Sequence, residues 1–137
     1  MAIGKLAALA GAVILCAGTA QAACDAVAFV EECKGKLDSG YEVLNTYALD
    51  GAADKTTTFE DDHVLISSMS YQVAICGDDG VEFTLQTGAR EPVLDNKADG
   101  GLQQSVMIDP ERSTVYYLVF KGPSEDVCAG AVLGVKR

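Results

Sequence analysis

The chain has 137 residues, the length of one domain, and carries 20 Asp and Glu against 10 Lys and Arg for a formal charge of -10. An acidic balance of this size repels phosphate backbones and excludes a nucleic-acid binder. With no Trp and one His, any His-dependent metal site or mechanism rests on the ring of His63.

Residues 1–22 read as a cleaved bacterial export signal. Lys5 is the only charge, Leu6 to Ala17 is uninterrupted apolar sequence, and Ala20-Gln21-Ala22 has the small-x-small form of a cleavage site. The apolar run is short for a membrane span, which takes about 20 residues. Neither Cys16 nor Cys24 follows the Leu-small-small pattern of a lipid-modified cysteine. The expected product is a single domain, residues 23–137, periplasmic or secreted, with no membrane span once the signal is removed.

Cys16 leaves with the signal. Cys24, Cys33, Cys76 and Cys128 remain, an even number in an exported chain and so a pair of disulfides. No Cys-x-x-Cys exists, so a zinc knuckle or a thioredoxin-like redox centre is not indicated. Residues 26–38 carry the only helical pattern, with Ala26, Val30, Cys33 and Leu37 on one face, Asp25 at the start and Gly40 at the end. In such a helix Cys33 stands about 13 Å from the level of Cys24, too far for a bridge between Cα atoms about 7 Å apart at most. Cys33 is therefore expected to join Cys76 or Cys128.

From Tyr41 onward the period is two. Tyr41 to Tyr47 reads as a strand, Gly51 to Asp54 as a turn or loop, and Lys55 to Phe59 as β-prone. Glu60-Asp61-Asp62 looks like punctuation before His63 to Ile66. Tyr71, Val73 and Ile75 alternate, as do Val81, Phe83 and Leu85, and Cys76 to Gly80 between them reads as the turn of a β-hairpin with one buried face. Pro92 to Leu94 is a short apolar patch, 95–101 a polar loop, and Ser105 to Ile108 a strand stopped by Asp109-Pro110. Val115 to Phe120 is apolar on both faces, as in a central strand covered on both sides. Val127 to Val135, rich in Ala and Gly, reads as a closely packed last strand. About eight or nine short strands with turn signals between them predict an all-β sandwich or barrel with one short N-terminal helix.

The segments Ser68-Met69-Ser70-Tyr71-Gln72-Val73, Val81-Glu82-Phe83-Thr84-Leu85 and Ser113-Thr114-Val115-Tyr116-Tyr117-Leu118-Val119 are similar to the bacterial pre-peptidase C-terminal domain. The resemblance covers roughly residues 55–136. It implies a jelly-roll-like antiparallel β-sandwich used as a non-catalytic accessory or binding unit, and it implies no particular ligand.

Three functional readings follow. The first is a non-catalytic exported binding or accessory protein without a cofactor, its partner an envelope protein or a glycan. The second is a calcium-dependent glycan- or protein-binding module, because calcium takes six to eight oxygens from loop carboxylates and carbonyls, and Asp78, Asp79, Asp95 and Asp99 stand in predicted loops. The third is a small hydrolase using His63 with Ser67, Ser68 or Ser70, although no Gly-x-Ser-x-Gly elbow is present. Tyr41, Tyr47 and Tyr116 are expected either on an outer binding face or packed under the helix.

Overall fold

The computed structural model describes residues 23–137; the expected export signal, residues 1–22, lies outside the described residues. The chain opens with helix α1, Ala26–Lys34. The Asp25 carboxylate accepts the Ala28 N–H at 3.1 Å and satisfies one of the free donors at the helix start. The helix ends four residues before the expected limit. The Gly35 N–H turns back onto Glu32 O, and the Asp38 N–H goes to the side-chain oxygen of Gln72 at 2.8 Å instead of continuing the helical ladder.

The strands that follow are β1 (Glu42–Asp50), β2 (Thr58–Leu65), β3 (Ser70–Gly77), β4 (Glu82–Thr87), β5 (Pro92–Asp95), β6 (Lys97–Ala98), β7 (Gly101–Leu102), β8 (Ser105–Ile108), β9 (Thr114–Lys121) and β10 (Cys128–Lys136). Gly51–Asp54, between β1 and β2, is a single helical turn, α2, capped by the Asp50 carboxylate. Sheet I has the order β2-β9-β4-β5 and sheet II the order β1-β10-β3-β8, every pair antiparallel. Successive strands of the two main sheets therefore alternate between them, except for the β4–β5 hairpin within sheet I, in a jelly-roll-like arrangement. The all-β sandwich with one N-terminal helix expected from the strand pattern is the observed architecture.

Several local expectations are corrected. β3 and β4 do not form a hairpin: they belong to opposite sheets, and residues 78–81 arch between them. Alternation fixed which side chains face inward, since Tyr71, Val73, Ile75, Val81, Phe83 and Leu85 are all in the core, but alternation carries no information about the pairing partner. Glu60-Asp61-Asp62 does not interrupt a strand. It lies inside β2, where Glu60 and Asp62 point to water while Phe59, Asp61, His63 and Leu65 turn inward. The polar loop at 95–101 contains the small β6–β7 ribbon, turned at Asp99 and Gly100, both with positive φ (53° and 80°), as a type I′ hairpin turn requires.

The core between the sheets is apolar and aromatic. Phe120 stands 5.1 Å from the Tyr47 ring and 5.2 Å from the Phe83 ring, in tilted contact. A second cluster lies outside sheet II, where Val30 and Cys33 of α1 meet Ala74, Cys76 and Val132. β10 and β3 are consequently buried on both faces, whereas β9, expected to hold that position, has only its inner face buried. The small side chains of β10 are the cause. A methyl group at Gly130 would stand 2.5 Å from Val30 N and 2.8 Å from Phe29 C, so α1 can lie this close only over a glycine.

The two disulfides tie this layer down. Cys33 pairs with Cys76, joining the middle of the covering layer to β3, and Cys24 pairs with Cys128, joining the chain ahead of α1 to the start of β10; both have Cα atoms 5.7 Å apart. At the far side, the long connection from β5 to β8 is held by Asn96, a buried amide. Its oxygen accepts the Phe83 N–H at 2.8 Å, and its nitrogen donates to Val81 O at 3.0 Å and Gln103 O at 2.9 Å.

The helix contact yields a direct prediction. Gly130→Ala overpacks the α1–β10 contact and is expected to destabilise the oxidised protein by about 1–3 kcal/mol. Gly101→Ala, where a methyl group meets nothing within 4 Å, is expected to stay within about 0.5 kcal/mol. Urea unfolding followed by circular dichroism separates the two; equal midpoints for both variants would show that α1 does not depend on a close approach.

Candidate functional site

The four loop aspartates are used separately. Asp78 clasps the start of β10: its N–H donates to Cys128 O at 3.1 Å and its carboxylate accepts the Cys128 N–H at 2.8 Å. Asp79 accepts from the Gln104 amide at 3.4 Å, and Asp95 accepts the Lys97 N–H at 2.9 Å as an Asx turn into β6. Asp99 occupies the ribbon turn. Among the described residues, no three His, Cys, Asp or Glu side chains gather where they could hold a metal ion.

His63 lies on the inner side of β2, half-buried, with Nδ1 3.9 Å from Asp61 Oδ2. Two of the serines considered as its partners, Ser67 and Ser70, meet other groups: the Ser67 hydroxyl accepts from Ser113 Oγ at 3.2 Å and Ser70 meets Asp109. The Ser67 N–H donates to Ser113 Oγ at 2.8 Å and the Ser70 hydroxyl donates to Asp109 at 2.7 Å. Among the described residues no hydrogen bond joins His63 to a serine. The group that does meet Asp61 is Tyr47, whose hydroxyl donates to Oδ2 at 2.7 Å, with Asn45 Nδ2 donating to the same oxygen at 3.3 Å.

β1 and β2 are the edge strands of opposite sheets, so this polar row closes the seam between the sheets along one side of the sandwich. Burial raises the Tyr47 phenol well above its ordinary value of 10.0, and the hydrogen bond to the Asp61 carboxylate and its negative charge raise it further, against a smaller lowering by Asn45. Tyr47 and Tyr116 thus point between the sheets. They lie neither on an outer face nor under the helix. Tyr41 is half-buried beside Lys136, whose ammonium stands 5.7 Å from its ring.

The main concave feature is a cleft of about 580 Å³ at one end of the sandwich. Its floor is core side chain, Leu85, Leu94, Ile108 and Tyr116. One wall is the turn after β4, with Thr87, Ala89 and Glu91, and the other is the Asp109–Ser113 connection between β8 and β9, carrying Glu111 and Arg112. That second wall is pinned at three points. Ser70 holds Asp109, the Tyr116 hydroxyl donates to Arg112 O at 2.9 Å, and Ser67 holds Ser113. The turn after β4 is also closed by side chain, because Thr87 Oγ1 accepts the N–H groups of Ala89 and Glu91, each at 3.2 Å.

Exposed apolar side chains adjoin the opening. Val93 lines the cleft and is half exposed; Val115 follows the lining residue Thr114 and is paired across β9–β2 with Val64, both exposed. Sequence reasoning did not reach this site. Asp109-Pro110 signalled only the end of a strand, and nothing local marks Ser67, Ser70 and Tyr116 as holders of one loop.

The sequence matches no family model and no curated protein. Among solved structures the chain is similar to PliG of Aeromonas hydrophila, a periplasmic inhibitor of g-type lysozyme, at 15% identity over 73% of this chain and 90% of that one, with a TM-score of 0.44. That likeness carries no argument about what this chain binds. The segments similar to the pre-peptidase C-terminal domain fall on the start of β3, on β4 and on β9, which are positions of the sandwich core.

The seam gives a pH-dependent prediction. The folded protein keeps the Tyr47 proton to higher pH than the unfolded chain, so its contribution to stability is whole below pH 10 and is lost as pH rises beyond that. Tyr47→Phe should cost about 1 kcal/mol at neutral pH and should show a shallower loss of stability above about pH 10. Parallel alkaline unfolding curves for the two proteins would contradict the seam.

Proposed function

We propose that this chain is an exported, non-catalytic binding module that receives a segment of a protein partner in the end cleft. The observation that carries the reading is the cleft itself, with an apolar floor and a wall pinned by three hydrogen bonds. Preformed concave sites with an apolar lining and a few fixed polar groups are the usual form of a binding site, and a wall already ordered loses little entropy when a partner arrives. The half-exposed Val93 lines the cleft, and the exposed Val64–Val115 pair adds apolar surface on the same sheet, which favours a protein over a small molecule or a glycan.

Export is supported by the two disulfides, which persist in oxidising compartments, and by the signal pattern of residues 1–22. Among the described residues no helix is long and apolar enough to cross a membrane.

Photo-cross-linking in the living cell tests this. A photoreactive residue placed at Val93 or Ala89, on the cleft, should give a discrete cross-linked protein, and the same residue at Glu31, on the exposed side of α1, should not. Cross-linking of the same species from all three positions, or from Glu31 alone, would overturn the reading.

A further inference from the structure

Resting on the cleft as the binding site, we infer that the segment it receives is cationic: an apolar side chain flanked by Lys or Arg. The floor sets the first half of this. Leu94, with Val93 and Ala89 beside it, offers apolar contact above a base of buried core side chains, and a volume of about 580 Å³ is within the range of pockets that enclose small ligands. What enters is therefore a protruding segment of the partner, a side chain or two deep, and the flanking residues of that segment lie on the rim.

The rim sets the second half. It presents the carboxylates of Glu91, Asp109 and Glu111 against one guanidinium, that of Arg112. Glu91 and Glu111 make no ion pair among the described residues, and one oxygen of Asp109 is occupied by Ser70. The rest of the molecule reinforces the sign, with 20 acidic against 10 basic residues in the chain. Below the rim, Asp62 and Asp95 on the uncovered side of sheet I are also without ion pairs among the described residues, whereas Glu60 and Glu82 are met by Arg90 and Lys97. An anionic segment would meet this field at every approach. A cationic one is steered toward the opening, and rim charges of this kind act mainly on association rate, salt dependence and the rejection of wrong partners.

The wall makes the charge readout geometric as well as long-range. Glu111 and Arg112 stand on a connection whose backbone is held at Arg112 O and whose Ser113 side chain accepts the Ser67 N–H. Their positions relative to the apolar floor are set before binding, so the spacing between an apolar anchor and its flanking cation is part of what the cleft selects.

Three synthetic nine-residue peptides test the inference, each with a central Leu-Phe pair and flanks of Lys, of Ser or of Glu, titrated into the oxidised, ¹⁵N-labelled protein. The Lys-flanked peptide should move the amide resonances of Leu94, Ile108, Arg112 and Tyr116. Its affinity should exceed that of the Ser-flanked peptide by about tenfold at low salt, and most of this advantage should vanish by about 0.5 M salt. Glu91→Gln with Glu111→Gln, both exposed side chains, should abolish the advantage of the Lys-flanked over the Ser-flanked peptide; an advantage that persists in this variant would overturn the role of the rim. Equal binding of all three peptides in the cleft would overturn the cationic preference and leave the cleft as a binding site. Movement of resonances only outside the cleft, or by none of the peptides, would overturn the inference, and the cross-linking above then decides separately whether the cleft binds protein.

Discussion

The contact of α1 with β10 over Gly130, locked by the Cys33–Cys76 bridge, is the constraint on which the other features depend. Exported folds commonly carry covalent staples, because oxidising compartments let disulfides persist. In the chain-entropy picture each long-range bridge here is worth about 4 kcal/mol. The helix seals the outer face of sheet II and turns β10 and β3 into fully buried strands built from small and β-branched residues. Among the described residues sheet I receives no such cover. The asymmetry of the molecule, one face closed and one face open to partners, follows from where a glycine let a helix approach.

The two ends of the sheet-to-sheet interface are finished in different ways. Along the β1–β2 side, where two edge strands face each other, Asn45, Tyr47 and Asp61 fill the gap with hydrogen-bonded polar groups, with the His63 ring beside Asp61, and close it. Unpaired strand edges invite association with other chains, and the outward Glu60 and Asp62 of β2 oppose that by charge. At one end of the sandwich a cleft lies between the turn after β4 and the β8–β9 connection, with its walls held by Thr87, Ser67, Ser70 and Tyr116. Polar residues thus shut one opening and hold the other one open, and only the second has an apolar floor to offer a partner.

Much of the scaffold was legible in the residues. Cys33 lay on the helical face with Ala26 and Val30, which directed its bridge into the body, and Cys76 is where it went. The alternating triplets at 71–75 and 81–85 named core residues correctly because burial is read from period alone. Pairing was not legible. Asp78-Asp79-Gly80 has hairpin composition yet arches between sheets, while Asp99-Gly100, passed over inside a polar loop, forms the hairpin turn. The choice between β9 and β10 as the doubly covered strand went astray because the bulky run from Val115 to Phe120 looks more buried than Ala129, Gly130 and Ala131. A helix packs onto a surface of small residues, and the bulky alternate residues of β9 stay at the surface. The cleft was illegible for a different reason: two of the three hydrogen bonds that hold its wall join residues 39 and 46 apart in sequence, and all three are of an ordinary kind.

The central claim is that the cleft is preformed on a scaffold closed by α1. Backbone ¹⁵N relaxation of the oxidised protein tests it without any ligand. The amides of Asp109, Glu111, Arg112 and Ser113 should have order parameters near about 0.85, equal to those of β9 and β10, because their connection is pinned at three points. Values below about 0.6 through this connection, with rigid strands on either side, would show a wall that forms only on binding and would contradict the account.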